Sequence, residues 1–319
     1  MNTKQSISII IPYYNSSSTL ERALISTITD IMDVEVIVID DNSSDDCSII
    51  IDKLKDKINI KYIRNEKNLG AGASRNRGLR DVTNEYIAFL DSDDELSPSF
   101  FSKIEKLMVE KYDEIIFDAL QVKNAQSNKL KMFFSQSFSE GNIDMKKALV
   151  FIRGAPWGKI YRTEIIQKNN VEFGIIPRGE DAIFTEIATS FVKSIYYLEE
   201  SLYLYHFNAS SLTNDDTLLD PQNSIISYEA VQSRLRERNF DAELNAIFFL
   251  TLYNITAVNI KLNKSYKDIS SAYSYYRKNY NVNDPYRNEY DLKYRVSFFL
   301  FEHKLFNIYK WLRSIVEHK

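Results

Sequence analysis

The sequence predicts an α/β protein in which an open, mainly parallel sheet flanked by helices is followed by a helical C-terminal region. Three observations carry that expectation. Apolar strand-like runs and helical patterns alternate through the first hundred residues. All eight glycines lie between Gly70 and Gly179, so tight backbone geometry belongs to the middle of the chain. Beyond Pro221 the pattern is helical almost throughout, rich in Tyr and Phe and free of glycine.

Residues 6–12 (SISIIIP) read as a buried strand stopped by Pro12. Asn15 to Ser18 offer caps for a helix carrying Leu20, Ala23, Leu24 and Ile28 at helical spacing. Residues 34–40 (VEVIVID) form a second strand, and the acidic turn after it leads into a helix over Ile49 to Leu54. A third strand covers 58–63, a glycine-containing helix runs from Leu69 to Leu79, and a fourth strand, 85–90, ends in acids. From Pro98 to about Leu120 a helix precedes a strand at 114–119, after which the polar residues 121–140 read as an excursion outside the core. Short helical and extended pieces then surround 154–158 (GAPWG) and 177–181 (PRGED), up to the aromatic strand 202–206 (LYLYH). The expected division is a catalytic domain over 1–215, split near 120 into two halves, and a helical region over 216–319.

Composition narrows the function classes. A length of 319 residues suggests two domains, or one large domain with an appendage. Forty basic residues against 44 acidic ones, a net charge of −4 with no basic domain or stripe, argue against nucleic acid as a partner. The single Cys47 excludes an internal disulfide framework and a cysteine-rich zinc site, and it fits a reducing compartment. Met1 to Gln5 is polar, so no secretory signal is visible, and no uncharged apolar stretch reaches 18 residues. A cytoplasmic protein is expected.

The chemistry concentrates where strands end. Asp40 and Asp41 follow the second strand and Asp91-Ser92-Asp93-Asp94 the fourth, and ligands of open α/β sheets bind beyond those ends. One carboxylate of Asp91 and Asp93 can hold a hard divalent cation, Mg²⁺ or Mn²⁺, while the other orients the ligand the cation serves. A solvated acidic turn is the plain alternative, and the apolar strand before it weighs against that. Residues 68–78 (NLGAGASRNRG) lack the Gly-Lys-Ser/Thr ending of a P-loop. Their glycines permit close backbone approach, and Arg75 and Arg77 add planar donor forks suited to phosphate or base edges. A helix start packed closely on the sheet explains the same glycines.

Taken together, these residues resemble the inverting family 2 glycosyltransferases of the GT-A fold, of the kind that build bacterial surface polysaccharides. The resemblance runs in order over 9–15 (IIIPYYN), 36–44 (VIVIDDNSS), 68–78, 89–94 (FLDSDD), 157–162 (WGKIYR) and 179–181 (GED). It covers about the first 210 residues. By position it implies that Pro12, Tyr14, Asn15, Asp41, Asn68, Arg75, Asp91 and Ser92 bind the nucleotide sugar, with Asp41 reading the base and Arg75 closing over it. Asp93 would hold Mn²⁺ or Mg²⁺, and His206 would either complete that shell, donate to the diphosphate, or serve as a structural residue. Asp181 would be the general base that an inverting transfer needs opposite the departing diphosphate, with Glu180 and Trp157 meeting the acceptor. Lys159 would meet a phosphate or form a surface pair.

The function this implies is metal-dependent transfer from a nucleotide-diphosphate sugar, UDP-linked, to a hydroxyl of a glycan or lipid-linked glycan. A sugar nucleotidyltransferase is the rival enzyme, although PYYN at 12–15 stands where such enzymes usually carry a Gly-rich basic loop. A catalytically silent binding subunit is the rival outside enzymes. In the tail, residues 293–319 carry six Lys/Arg against two Glu among many apolar side chains. Such a helix fits either peripheral contact with an anionic membrane or packing on the catalytic domain or a second copy.

Overall fold

The computed structural model describes residues 4–123, 126–134, 138–208, 220–279 and 284–317. Its first half is built on β1 (Ser6–Tyr13), which pairs in parallel with β2 (Asp33–Asp40) on one side and β4 (Tyr86–Phe89) on the other. β3 (Asn59–Arg64) adds in parallel to β2. Ile7, Ile9, Ile10 and Ile11 and Val36 to Ile39 have no exposed surface, because helices cover both faces of this part of the sheet. The crossovers are α1 (Ser17–Ile25), α2 (Ser48–Leu54) and α3 (Ala71–Leu79). α3 sits close on β1 because Gly78 has no side chain, and a Cβ there would lie 2.7 Å from Ile10 Cγ2.

The second half closes the site through an inserted strand. β9 (Lys159–Arg162) runs antiparallel between β4 and β6 (Glu114–Lys123), and β10 (Ile195–His206) lies parallel to β6. The sheet order is β3-β2-β1-β4-β9-β6-β10-β5, with β5 (Glu95–Leu96) antiparallel on β10. Because β9 runs backwards, the loop before it stands at the carboxyl end of β4, beside the acids that follow Phe89. β7 (Gln126–Leu130) and β8 (Gly141–Ile143) pair with β6 and β10, and α4 (Phe100–Val109), α5 (Met145–Phe151), α6 (Thr163–Lys168) and α7 (Glu180–Phe191) complete this half.

Three local expectations change. Residues 121–140 are not wholly outside the core: β6 continues to Lys123, and Met132 and Phe133 are buried. Their sequence neighbours are polar, but Gly158 leaves room for the Met132 sulfur and Phe133 packs edge-on against Tyr197 at 5.2 Å. The first helix stops at Ile25, leaving Ile28 exposed. The aromatic strand begins seven residues earlier than its apolar cluster, at Ile195, and carries register shifts around Ser201.

The tail is helical, with α8 (Pro221–Leu235), α9 (Asp241–Lys261), α10 (Tyr266–Asn279), α11 (Leu292–Glu302) and α12 (Phe306–Glu317). α9 is long and apolar enough to cross a membrane by length and composition, yet 67% of its apolar window is buried among the other elements. It is the core helix of this region. Leu244, Phe248 and Tyr228 join one apolar cluster with Phe184 and Phe173 and with Phe89 of β4, so the tail and the sheet share a core.

Candidate functional site

The site forms where β1, β2, β4 and β10 end. At the exit of β1, Pro12 occupies a ladder position opposite Ile39 and Tyr14 is exposed. Asn15 takes a left-handed φ of 48°, a conformation that Asn tolerates better than most residues. Its Oδ1 accepts from Ser44 N at 2.7 Å and from Ser44 Oγ at 3.0 Å, fastening the loops after β1 and β2 together. Ser16 Oγ and Ser92 Oγ lie 2.7 Å apart, which ties the same corner to the loop after β4.

The two acids after β2 hold structure. Buried Asp40 accepts from Ser43 N (2.7 Å), Tyr62 Oη (2.5 Å) and Arg64 Nη1 (2.7 Å). Asp41, expected to read the base, is also buried, and its carboxylate accepts from Asn65 Nδ2 (2.8 Å) and from the backbone amides of Leu69 (2.9 Å) and Gly70 (2.7 Å). It thereby pins the glycine loop. Asn68, next in that loop, is exposed.

Arg75 is the centre of the arrangement. Expected to close over the base, it is instead buried, with Nη1 2.8 Å from Asp181 Oδ1 and Nη2 2.7 Å from Asp91 Oδ1. The Phe173 ring lies 5.4 Å from its guanidinium carbon. One planar fork thus joins the acid after β4 to the first turn of α7. Glycine makes the approach feasible: a Cβ on Gly72 of α3 would lie 2.8 Å from Gly174 O and 3.0 Å from Glu180 Cγ. Gly179, at φ +99°, turns the chain into α7.

These contacts set the protonation of the pair on α7. Burial pushes Asp181 up to about 7, Arg75 pulls against that, and the charges of Glu180 and Asp91 add to the rise. The side chain still leaves 32% of its surface exposed to solvent, so a substrate can reach it. Glu180 is likewise raised by burial and held back by Arg75.

The acids after β4 divide their work. Asp94 has no exposed surface and accepts from Tyr203 Oη (2.7 Å) and His206 N (2.7 Å), while Tyr203 Oη in turn accepts from Asp91 N at 3.1 Å. Burial and its acidic neighbours push Asp94 up to about 8. Asp93 is raised first by burial and then by the charge of Asp91, and Arg22 grips its carbonyl. His206 Nε2 lies 2.6 Å from Glu95 Oε1, a carboxylate also held by Arg22 Nε at 3.1 Å. Among the described residues no group of three or more His, Cys, Asp or Glu side chains is arranged to hold a metal. The donor chemistry still fits a hard cation that draws its other ligands from diphosphate and water, since Asp91 and Asp93 offer carboxylate oxygens from one turn after β4.

Trp157 is nearly buried and stacks on Tyr203 at 4.9 Å and on Tyr205 at 5.7 Å. The surface pair expected for Lys159 is corrected: the residue is fully buried, with Nζ donating to the carbonyls of Arg153 (2.8 Å) and Ala155 (2.6 Å). Sequence reasoning did not single out Tyr203, Glu95, Asn65 and Arg22. Glu95 directly follows the acidic run, and Tyr203 lies in the aromatic strand; Asn65 and Arg22 gave no signal.

Comparison with known proteins settles the family. The Glycosyl transferase family 2 profile matches residues 8–168. The chain belongs to glycosyltransferase family 2. EpsH of Bacillus subtilis (strain 168), named as a glycosyltransferase, is 25% identical over 240 residues, which are 73% of this chain and 70% of EpsH. The poly(ribitol-phosphate) beta-N-acetylglucosaminyltransferase TarS of Staphylococcus aureus is 25% identical over 269 residues, 80% of this chain and 46% of TarS. The chain therefore spans about half of that relative. The crystal structure of TarS residues 1–349 with UDP-GlcNAc superposes with a TM-score of 0.62 at 20% identity, over 86% of this chain and 88% of that one. This likeness is one of fold, and the family 2 chain has the GT-A architecture with a helical tail.

Proposed function

We propose that this family 2 chain is an inverting glycosyltransferase of surface-polysaccharide synthesis. It moves a sugar from a UDP-linked donor to a hydroxyl of a glycan or lipid-linked glycan. One observation carries the reading: a single buried guanidinium holds Asp181 and Asp91 in fixed relation, with part of the Asp181 side chain exposed to solvent. A pKa of about 7 suits a base at neutral pH, where an ionised fraction and proton affinity coexist.

In this reading the donor's nucleotide lies over the loops after β1 and β2, near Tyr14, Asn15 and Asn68, and Trp157 lies on the acceptor side. Asp181 accepts the acceptor hydroxyl proton at the oxygen that Arg75 leaves free, Oδ2. The acceptor oxygen forms its bond to the donor's anomeric carbon as the bond from that carbon to the diphosphate breaks, so the nucleoside diphosphate leaves with the electron pair. Arg75 keeps the base aimed and limits its pKa rise. Asp93, with Asp91 beside it, would hold Mn²⁺ or Mg²⁺, which when bound offsets charge on the departing diphosphate. His206 would join that shell through Nδ1, with Nε2 still held by Glu95.

The UDP and UDP-GlcNAc complexes of TarS support a UDP-linked donor. In this reading the enzyme is cytoplasmic and touches the inner membrane face through α11 and α12, where Val296, Phe299, Ile308 and Trp311 are exposed close in sequence to Lys304 and Lys310. A thermal-shift panel of UDP-sugars with and without Mn²⁺, followed by product detection with oligosaccharide acceptors, tests the proposal. Stabilisation by UDP compounds and release of UDP support it; pyrophosphate release from NTP and sugar phosphate would replace it with nucleotidyl transfer.

A further inference from the structure

Asp181, Thr185 and Thr189 recur at a spacing of four on α7 and so share one helix face. That face meets Glu114 of β6 and the loop before β9. Thr189 Oγ1 donates to Glu114 Oε1 at 3.1 Å, and Thr185 Oγ1 donates to the Gly154 carbonyl at 3.2 Å. Lys159 holds the same loop from the other side, its Nζ donating to the carbonyls of Arg153 and Ala155, which flank Gly154. A Cβ on Gly154 would lie 2.9 Å from Ala182 Cα, so the segment that Lys159 fastens packs directly on the residue after the base. Trp157, on the acceptor side, follows in the same loop.

Lys159 and Glu114 have no exposed surface, so neither can touch a substrate. Stability does not account for them, because a buried pair of opposite charge adds little over apolar side chains of the same volume. Burial pulls the Lys159 ammonium down, and Glu114 and Asp181 draw it back up against Arg153. Burial likewise pushes Glu114 up, and Lys159 holds it back. Asp181 is raised by burial, drawn down by Arg75 of α3 and raised again by Glu180 beside it and Asp91 after β4. Lys159 of β9 is the second cation that acts on it, and it favours the ionised carboxylate.

We propose that Lys159 is a positioning residue for the base, clamping the 153–157 loop to the first turns of α7 so that Asp181 and Trp157 keep one relation. The role rests on the glycosyltransferase reading above and adds a residue that acts from inside the core.

The test uses the full chain, Lys159→Met, which removes the ammonium, and Thr185→Val, which removes the tie to Gly154 and leaves the charge. UDP release from UDP-Glc, UDP-GlcNAc, UDP-Gal and UDP-GalNAc with oligosaccharide acceptors is followed against pH. Melts against pH are recorded for each protein with and without Asp181→Asn. Lys159→Met should lose about tenfold or more in kcat, and the rising limb of its kcat/KM profile should move up by about half a pH unit. Thr185→Val should lose several-fold in kcat with the limb unmoved. The stability that Asp181 contributes at low pH is lost as pH rises through its folded pKa, so in Lys159→Met that loss should move to higher pH by the same amount. This shift needs no substrate, and a merely structural lysine would not produce it. Wild-type kcat in either folded variant, or a slower Lys159→Met whose limb and melts stay in place, would overturn the role. Should Lys159→Met fail to fold, Lys159→Gln, which keeps a neutral donor, decides by the same limb and melts. No UDP release by the wild-type protein, with the melts shifted as expected, would overturn the transfer reading and leave the coupling of Lys159 to Asp181 standing.

Discussion

Arg75 Nη1 stands 2.8 Å from Asp181 Oδ1 while Nη2 of the same side chain holds Asp91 Oδ1 at 2.7 Å, although Asp91 and Asp181 are 90 positions apart in sequence. A lysine carries the same charge but presents a point, so it can serve one acid and not both in this planar relation. Arg75→Lys is expected to lower kcat for sugar transfer by about a hundredfold, the scale of a misplaced reacting group. Arg75→Ala should also destabilise the fold by about 1–3 kcal/mol. That is less than for a fully buried ion pair, because both carboxylates keep some exposure. Initial-rate kinetics and urea unfolding check the two halves, and wild-type kcat in Arg75→Lys would remove the clasp from the mechanism.

Asp181→Asn keeps the shape and deletes the base. Transfer should fall by about 10² to 10⁴ in kcat, the usual contribution of general-base catalysis, while UDP-sugar affinity measured by calorimetry changes little. Normal transfer by this variant would assign the base elsewhere.

The pH dependence of activity and of stability should run in opposite directions. Asp181 must be ionised to accept a proton, so kcat/KM should rise with pH through about 7. Its folded pKa lies above the unfolded value near 4, so the native state binds more protons between the two. The contribution of this group to stability is therefore complete below about pH 4 and is lost as pH rises through about 7. A pH–rate profile and melts of wild type against Asp181→Asn across pH 4–8 measure both. A flat difference between the two melts would show that the folded protein does not raise this pKa.

Removal of the carboxylate at Asp93 tests the cation. Asp93→Ala should abolish the extra stabilisation that Mn²⁺ gives in the presence of UDP, while leaving the melt of the free protein within about 1 kcal/mol. A larger loss is not expected, because the contact from Arg22 runs to the Asp93 carbonyl and survives the change. An unchanged Mn²⁺ response would place the cation on other ligands.

Gly78→Ala tests the approach of α3 to the sheet. The added methyl would fall 2.7 Å from Ile10 Cγ2 on the fully buried β1, so it should cost about 1–3 kcal/mol in denaturant unfolding through overpacking. A neutral result would mean that the helix can shift outward.

Much of this was legible in the chain. The apolar runs at 6–12 and 34–40 are short and bounded by turn residues, as strands buried under helices on both sheet faces are, and Ile7 to Ile11 and Val36 to Asp40 are buried. The acids behind the second and fourth strands had to stand at the sheet's carboxyl edge. The insertion of β9 was not legible, since a four-residue strand has too short a pattern to show its direction. The fate of Lys159 followed from it: the strand carries that ammonium into the core, where backbone carbonyls of its own loop receive it.

The sequence by itself determined the order of motifs, the chemical kinds of side chain and the strand ends at which they stand, because periodicity and composition act locally along the chain. Which carboxylate does which task was decided only in three dimensions. Asp41 turns inward to the amides of Leu69 and Gly70, His206 turns to Glu95, and Arg75 reaches across to Asp181. Each choice depends on which partner the packed sheet and helices bring within hydrogen-bond distance, and a buried charge takes the partner that compensates it.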